Sequence, residues 1–413
     1  MQPGPLASGN TATLNPGATL APNAAFFLLA SITVSFLAGS SAPTPLYAQY
    51  AAEWGLSPLA ITAIFGIYAL AVLAALLIGG RLSDHLGRRP VLLAASVGQV
   101  VSMVLYGSAH DAAGLVVARV FQGLVTGASV AAIGAAMLDL DKTRGAVANA
   151  VAPAFGTGSG AILAGIFVQF LPAPTHLIYE MLGVVFIAQA IGLSFMSETI
   201  TPRAGVWKSL RPQLALPRAT REPLLLAVPV LIAVWATAGF YGSLGPMLIR
   251  GLLGTHSPLL GGLGLFVLAA TAGVSVLLLQ RREPKHMMTL GAASLALGAA
   301  LTVVAISYAS ISWFFVGTAL AGVGFGAGFQ GSVRTIVPFA APHERAGVLS
   351  MIFLVSYLSM GAPAVVAGAL VARHGNILGV AQGFGAVMIA LAIAALIGGA
   401  VRNAARQRSQ RSV

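Results

Sequence analysis

The sequence predicts an all-α integral membrane protein with twelve transmembrane helices. Of its 413 residues, 57% are hydrophobic and only 8% are charged, whereas a soluble domain carries about a quarter charged residues. Such a chain cannot cover a water-soluble globule of this size with polar surface, which excludes a cytosolic enzyme. The 49 glycines suit helices that pack closely in lipid. Because the sequence contains no cysteine, disulfides, thiolate metal sites and a cysteine nucleophile are also excluded.

Twelve apolar stretches follow one another along the chain, each close to the roughly 20 residues that cross about 30 Å of hydrocarbon as a helix. Lipid offers no water to backbone groups, so stretches of this composition must be helical. They cover residues 24–45, 58–80, 90–109, 113–138, 146–171, 176–197, 223–250, 258–280, 287–308, 312–336, 346–371 and 377–400.

The longest connection between these stretches divides them six and six. It is rich in Pro, Arg and Thr, which predicts a linker or a short surface helix. The first residues are rich in Pro, Gly, Ser, Thr and Asn and predict a disordered tail. The predicted units are a tail at 1–23, a six-helix bundle at 24–197, a linker at 198–222, a second six-helix bundle at 223–400 and a basic tail at 401–413.

The two halves share short stretches of sequence at a nearly constant offset. Arg144–Val147 corresponds to Arg345–Val348 at an offset of 201, and Ala94–Ser96 corresponds to Ala292–Ser294 at 198. Parallel repeats of six spans, related by an axis along the membrane normal, describe a large transporter architecture with its substrate site between the halves. The sequence therefore predicts two parallel bundles around a central cavity.

The basic residues predict the orientation. With the N-terminus in the cytoplasm, 19 of the 22 Lys and Arg residues fall on the cytoplasmic side, as the positive-inside rule requires. Both termini are then cytoplasmic, and the protein is a multi-pass protein of the plasma (inner) membrane. The net charge of +12 faces lipid headgroups, so we expect membrane lipids as partners and no nucleic acid. A basic n-region is missing, so no cleavable signal peptide is expected.

The loop between the second and third stretches carries a compact motif, Gly80-Arg81-Leu82-Ser83-Asp84-His85-Leu86-Gly87-Arg88-Arg89. Gly80 and Gly87 permit tight turns, Asp84 can pair with an arginine, and Arg88 and Arg89 can anchor the loop to anionic headgroups. The motif resembles the signature loop of the major facilitator superfamily. That resemblance implies a latch that holds the outward-open state and does not bind substrate. His85 stands where the family usually has a basic residue.

A second motif lies in the fourth stretch, where Ala118–Gly123 resembles the R-x-x-Q-G motif of proton-coupled members of the superfamily. Arg119 lies inside the membrane, where a charge is costly without partners, so Arg119 and Gln122 are candidates for proton coupling. The alternative is a structural arginine bonded to backbone carbonyls and Gln122. Gly156–Gly165 partly resembles a glycine motif of antiporters. Together these motifs favour the twelve-helix drug–proton antiporter (efflux) branch.

A proton carrier needs a titratable group within the membrane. Nine of the ten acidic residues fall in loops or at the ends of stretches, and the first stretch has none, which argues against a cationic substrate. Glu180 lies about one turn inside the sixth stretch, and Asp139 ends the fourth; both are candidates. An interfacial carboxylate is an equally good interpretation of Glu180.

An aromatic, sparsely charged cavity suits amphipathic, mostly neutral molecules that bind through apolar area and a few hydrogen bonds. The candidate cavity residues are polar or aromatic and lie in stretches expected to line the centre, although each can instead face lipid or a helix interface. They are Tyr68, Asn149, Phe155, Trp235, Phe240, Tyr241, Phe329, Gln330 and Tyr357.

The sequence contains neither a nucleotide-binding G-x-x-x-x-G-K-[ST] loop nor a His-Glu-x-x-His motif, so we expect no enzyme activity, cofactor or metal. The favoured function is proton-coupled export of small amphipathic organic molecules or drugs, carried out by a monomer. One alternative is an uptake symporter or facilitator for a small metabolite. The other is a receptor or scaffold on the same fold that transports nothing.

Overall fold

The computed structural model of the protein describes residues 19–212, 214–254 and 257–411. Within them, twelve helices are long and apolar enough to cross a membrane, which confirms the predicted number. Residues 1–18 of the predicted tail lie outside the described residues, and the first helix begins at Pro22.

The twelve spans are numbered here in chain order. Short helices at Leu82–Leu86, Val206–Ser209 and Gly245–Leu253 lie in the connections. Span 1 consists of the helices Pro22–Ser41 and Pro43–Trp54, and the helix of span 12 continues to Arg411. The spans are Pro22–Trp54, Pro58–Gly79, Arg88–Gly107, Ala112–Leu140, Lys142–Phe170, Leu177–Ser194, Arg218–Ser243, Pro258–Leu279, Pro284–Ser307, Ile311–Phe339, Arg345–His374 and Ile377–Arg402.

Side-chain caps define where several spans begin. Ser57 accepts a hydrogen bond from the backbone N–H of Ala60, and Asp111 accepts one from Gly114. Asp141 separates spans 4 and 5 and accepts one from the N–H of Arg144 at 2.8 Å. Each cap satisfies a donor that the first helical turn leaves unpaired. The helix boundaries therefore depend on single polar residues between apolar runs.

The two halves are held together at one end of the bundle. We call the end that carries the loop between spans 2 and 3 the basic end, and the opposite end the far end. At the far end, Thr44 donates to the carbonyl of Gly242 at 2.9 Å, and Ser257 donates to the side chain of Gln169 at 2.6 Å. Spans 2 and 11 cross between the halves where Gly66 faces Gly361. The far end is therefore closed.

Grooves open at the basic end. A groove of about 450 Å³ runs along the first half of span 5, beside Val34 of span 1. A smaller cavity of about 120 Å³ lies between the ends of spans 2 and 11. The larger groove is lined by first-half residues alone, whereas the smaller cavity lies where the two halves meet.

Glycine sets the distance between some helices within each half. Spans 9 and 10 approach so closely that a Cβ atom on Gly291 would lie 2.3 Å from the backbone nitrogen of Gly328. Small residues at such crossings allow the backbone-to-backbone packing that stabilises helices in lipid. By contrast, a Cβ on Gly383 of span 12 would meet no atom within 4 Å.

We therefore predict opposite effects for the same substitution at two glycines. Gly291→Ala should lower the free energy of unfolding by about 1–3 kcal/mol because the extra methyl forces the helices apart. Gly383→Ala should be neutral or raise it by about 0.4–1 kcal/mol, because alanine restricts the unfolded chain. Thermal denaturation of the purified variants in detergent checks this, and equal melting temperatures would contradict the packing account.

Candidate transport site

The first half buries a positive charge at its centre. Arg119 of span 4 is completely buried. Its Nε donates to the hydroxyl of Tyr47 at 2.9 Å, and its Nη1 donates to the carbonyl of Ser40 at 2.8 Å. A weaker contact of 3.4 Å joins Nη1 to the side-chain oxygen of Gln122. Span 4 is thereby bound to span 1 through neutral acceptors. One backbone carbonyl and Gln122 of the same span are among these contacts, and both interpretations drawn from the sequence, proton coupling and a structural arginine, stay predictions.

Three tyrosine rings surround the guanidinium group. Its central carbon lies 5.5 Å from the ring of Tyr47, 5.1 Å from that of Tyr68 and 5.7 Å from that of Tyr106. Tyr106 donates to the side-chain oxygen of Gln122 at 2.8 Å, and the side-chain nitrogen of Gln122 has no partner among the described residues. Aromatic faces stabilise a desolvated cation, which explains how the span tolerates the charge.

The acidic residues lie away from this charge. All ten fall within the described part of the chain, none of them is buried, and none comes within 4.0 Å of Arg119. Glu180 is exposed in the first turn of span 6. Asp139 lies at the basic end of span 4, where it pairs with Arg88 of the loop between spans 2 and 3, Gly80–Arg89, which we call the gating loop. The structure therefore places both candidate carboxylates outside the Arg119 cluster.

An aromatic cluster from the second half faces the interface between the halves. The ring of Trp235 lies 5.4 Å from that of Phe329, 5.3 Å from Tyr357 and 5.7 Å from Phe325. Trp235 and Tyr357 also pack against a hydrophobic cluster that consists of first-half residues together with Met360 of span 11. The indole N–H of Trp235 is buried and has no acceptor among the described residues. The structure brings three predicted cavity residues together here.

The other predicted cavity residues are dispersed. Asn149 donates to the carbonyl of Gly134 at 2.9 Å and so joins spans 5 and 4. Phe155 lies on the groove along span 5. Phe240 packs against Phe384 of span 12. The hydroxyl of Tyr241 forms a hydrogen bond of 2.8 Å with the hydroxyl of Thr318 within the second half. Gln330 is half-buried. Tyr68 donates to Ser40 and borders the Arg119 cluster.

The gating loop forms a network within its own half. The Nη1 of Arg88 lies 2.6 Å from the carboxylate of Asp84 and 2.6 Å from the hydroxyl of Ser83. Its Nε donates to Asp139 at 3.2 Å. Gly80 ends span 2, and the short helix Leu82–Leu86 follows. Among the described residues, these ion pairs do not reach the second half of the chain.

Glu198, which the sequence analysis did not single out, completes this network. Its carboxylate accepts hydrogen bonds from the backbone N–H groups of Arg88 at 2.8 Å and Arg89 at 3.1 Å. Gly87 has a φ of +98°, and a Cβ there would lie 2.5 Å from the same carboxylate. Glu198 thus caps span 3 from the start of the linker. Arg89 also donates to the carbonyl of Ser194.

Some residues of the site carried only a weak signal in the sequence. Tyr47, Ser40 and Tyr106 contact Arg119, and Phe325 and Phe353 extend the Trp235 cluster. Phe325 precedes Phe329 by one helical turn, and Phe353 precedes Tyr357 by the same interval. That spacing places each pair on one helix face.

Known proteins resemble this chain at two levels. The sequence model of the Major Facilitator Superfamily matches residues 28–364. The cephamycin export protein CmcT of Amycolatopsis lactamdurans is 32% identical over 127 residues, 29% of this chain and 26% of that protein. Multidrug resistance protein MdtL of Klebsiella pneumoniae is 31% identical over 103 residues, 24% of this chain and 26% of that protein. The chain thus spans about a quarter of the length of these relatives.

Two solved structures resemble the whole bundle. A mutant of the nucleoside transporter NupG superposes with a TM-score of 0.70 at 11% identity, over 92% of this chain and all of that one. The human organic anion transporter MFSD10 superposes with a TM-score of 0.65 at 16% identity, over 91% of this chain and all of that one. At these identities the likeness concerns the fold alone.

The geometry around Glu198 predicts a graded loss of stability. Glu198→Ala should lower the free energy of unfolding by about 1–2 kcal/mol, because two donors in the first turn of span 3 lose their acceptor. Glu198→Gln keeps one carbonyl oxygen and should lose less. Thermal denaturation in detergent measures both, with Glu283→Ala as the control, since the pair of Glu283 with His286 is exposed. A Glu198→Ala protein as stable as the control would refute the cap.

Proposed function

Because the chain belongs to the major facilitator superfamily, we propose that it exports small amphipathic organic molecules in exchange for protons, by alternating access and as a monomer. The family and its transporter neighbours indicate an integral multi-pass membrane transporter of the plasma (inner) membrane, and not an enzyme. Members of this superfamily bind small-molecule substrates within the membrane. Direction, coupling and substrate are the parts that we propose.

The single observation that supports alternating access most strongly is the difference between the two ends of the bundle. The far end is closed by Thr44 against Gly242 and by Ser257 against Gln169, while two grooves open at the basic end. With both termini in the cytoplasm, as the positive-inside rule predicts, this is the inward-facing state. The gating loop, whose described ion pairs stay within its own half, is then a released latch.

Export as the direction of transport is supported by two of the curated relatives. One is named as a cephamycin export protein and the other as a multidrug resistance protein. The aromatic cluster around Trp235 offers apolar area with few polar groups, which suits amphipathic molecules better than sugars.

For the proton we favour Asp139 over Glu180. Asp139 lies on the same span as Arg119 and holds Arg88 of the gating loop at 3.2 Å. Protonating Asp139 would remove one of the two carboxylates that pair with Arg88, and so would loosen the loop. Both carboxylates are exposed, but no ion pair joins Glu180 to another described residue.

Uncoupled facilitated transport is the second candidate, and one observation favours it. None of the ten acidic residues is buried, so a proton carrier inside the membrane has no carboxylate available. A carrier of this kind would follow the gradient of its substrate in either direction, uptake included.

Efflux from cells separates these candidates. A panel of lipophilic dyes and antibiotics is followed in cells that express the wild type, Arg119→Ala, Asp84→Asn, Asp139→Asn or Glu180→Gln, with and without a protonophore. We expect the protonophore to abolish wild-type efflux. Arg119→Ala should reduce efflux at least about tenfold, since spans 1 and 4 lose a charge-assisted contact of about 1.5–3 kcal/mol.

Asp139→Asn should abolish protonophore-sensitive efflux, whereas Glu53→Gln, an exposed carboxylate at the far end, should leave it unchanged and serves as the control. Loss of coupling in Glu180→Gln but not in Asp139→Asn would identify Glu180, and not Asp139, as the proton carrier. If the protonophore leaves the rate of efflux unchanged, the protein is an uncoupled carrier. If every variant is expressed but no compound moves, drug export is wrong.

The proposed orientation has its own test, because the natural chain lacks cysteine and a single introduced thiol gives an unambiguous signal. Ser310→Cys, between spans 9 and 10, should react with a membrane-impermeant thiol reagent in intact cells. Ser409→Cys, in the basic tail, should react only after the membrane is opened. The reverse pattern would place both termini outside.

A further inference from the structure

The membrane-buried part of this protein has an excess of positive charge. In the part of the chain that the structure describes, Arg119 is the only charged side chain with no exposed surface. Its partners are hydroxyl, carbonyl and amide oxygens. These acceptors stabilise the guanidinium but do not cancel its field, because none carries a full negative charge. A ligand between the halves is therefore exposed to the field of an uncompensated cation.

The aromatic cluster offers a donor without an acceptor. The Nε1 of Trp235 is buried and unpaired among the described residues, and its ring packs against two hydrophobic clusters, one of which consists of first-half residues and Met360. An unsatisfied buried donor costs free energy, and the strongest acceptors for it are anionic oxygens. Phe329 and Tyr357 flank this donor with their rings, and aromatic faces of this kind favour a planar aromatic ligand.

The approach to this cluster is also basic. The cavity of about 120 Å³ at the basic end is lined by Arg81 and Arg211 together with Phe353. The ring of Phe353 lies 6.3 Å from that of Tyr357, so the cavity leads towards the cluster. Neither arginine has a carboxylate within 4.0 Å among the described residues. A cavity entrance lined by positive charges concentrates anions and repels cations.

We infer that the substrates of this transporter are aromatic organic monoanions, an inference that rests on the proposed export function and narrows its substrate class. The aromatic body lies among Trp235, Phe329 and Tyr357, and the anionic oxygen accepts from the indole N–H. Arg119, whose guanidinium lies over the ring of Tyr68, acts through space and is a positioning residue for the charge. At an effective dielectric constant of about 20, a unit charge roughly 10 Å away changes an affinity by about tenfold.

A set of ligands that share a naphthalene body and carry an anionic, a neutral or a cationic head group tests this inference. Binding of 2-naphthoate, 2-naphthamide and 2-naphthylmethylammonium to the purified protein is measured by calorimetry in detergent at pH 7. The wild type should bind the acid about tenfold more tightly than the amide, and the ammonium compound least tightly. Trp235→Phe should weaken the acid because the indole donor is lost.

The Arg119 variants separate an electrostatic role from a structural one. Arg119→Gln should bring the ratio of acid to amide affinity close to one while amide binding persists, and Arg119→Lys should restore the ratio. Arg373→Gln removes the same charge from an exposed site at the far end and should leave the ratio unchanged. Should Arg119→Gln fail to fold, the order of the three ligands on the wild type decides the question.

Equal affinities for acid and amide, or a tighter ammonium compound, would overturn the anion inference. A ratio that Arg119→Gln leaves unchanged would overturn the role of Arg119. Both results leave the export function standing if neutral dyes are still expelled from cells by the wild type. Failure of every compound in that cellular assay rejects the export function itself.

Discussion

The contact of Arg119 with span 1 is the constraint on which the first half of the structure depends. A charged side chain at mid-membrane costs about 2.5–3.5 kcal/mol on insertion scales, and this one is offset by the hydroxyl of Tyr47, the carbonyl of Ser40 and three tyrosine rings. These partners come from spans 1, 2 and 3. Movement of span 4 relative to these neighbours would separate the charge from its partners, so the contacts oppose such a movement.

The second half repeats the geometry without the charge. Thr318 occupies the position that corresponds to Arg119 at an offset of 199, and it bonds Tyr241 of span 7 at 2.8 Å. Each half therefore connects the fourth span of its bundle to the first through a tyrosine hydroxyl. In one half the partner is a cation, and in the other it is a neutral hydroxyl. The two halves therefore differ in chemistry: the first half contains the buried charge of Arg119 and the gating loop, and the second half contains the aromatic cluster around Trp235.

The sequence predicts the spans well and the site only in part, for physical reasons. The number of spans can be predicted because the thickness of the hydrocarbon layer sets how long each apolar stretch must be. The face that a span turns towards the interior cannot be predicted in the same way, because a helix that is apolar all round gives no periodic signal. Phe240 and Trp235 are therefore indistinguishable in sequence, yet Phe240 packs against span 12 and Trp235 packs against Phe329 and Tyr357. Glu198 lies 110 and 109 residues from the two donors that it caps, a separation that no local pattern reveals.

Charge and energy supply are linked in a transporter of this kind. An inside-negative membrane potential favours outward movement of a monoanion by about 2.3 kcal/mol per 100 mV, so an anionic substrate supplies part of its own driving force. A cation would need a coupled proton merely to overcome the same potential, and that role calls for an acidic residue beside the substrate. All ten acidic residues lie outside the buried core, and Asp139 sits on the gating loop network. The positions of Asp139 and Arg119 fit one proposed arrangement. In it, the proton acts on the gating loop through Asp139, and Arg119 selects the charge of the substrate.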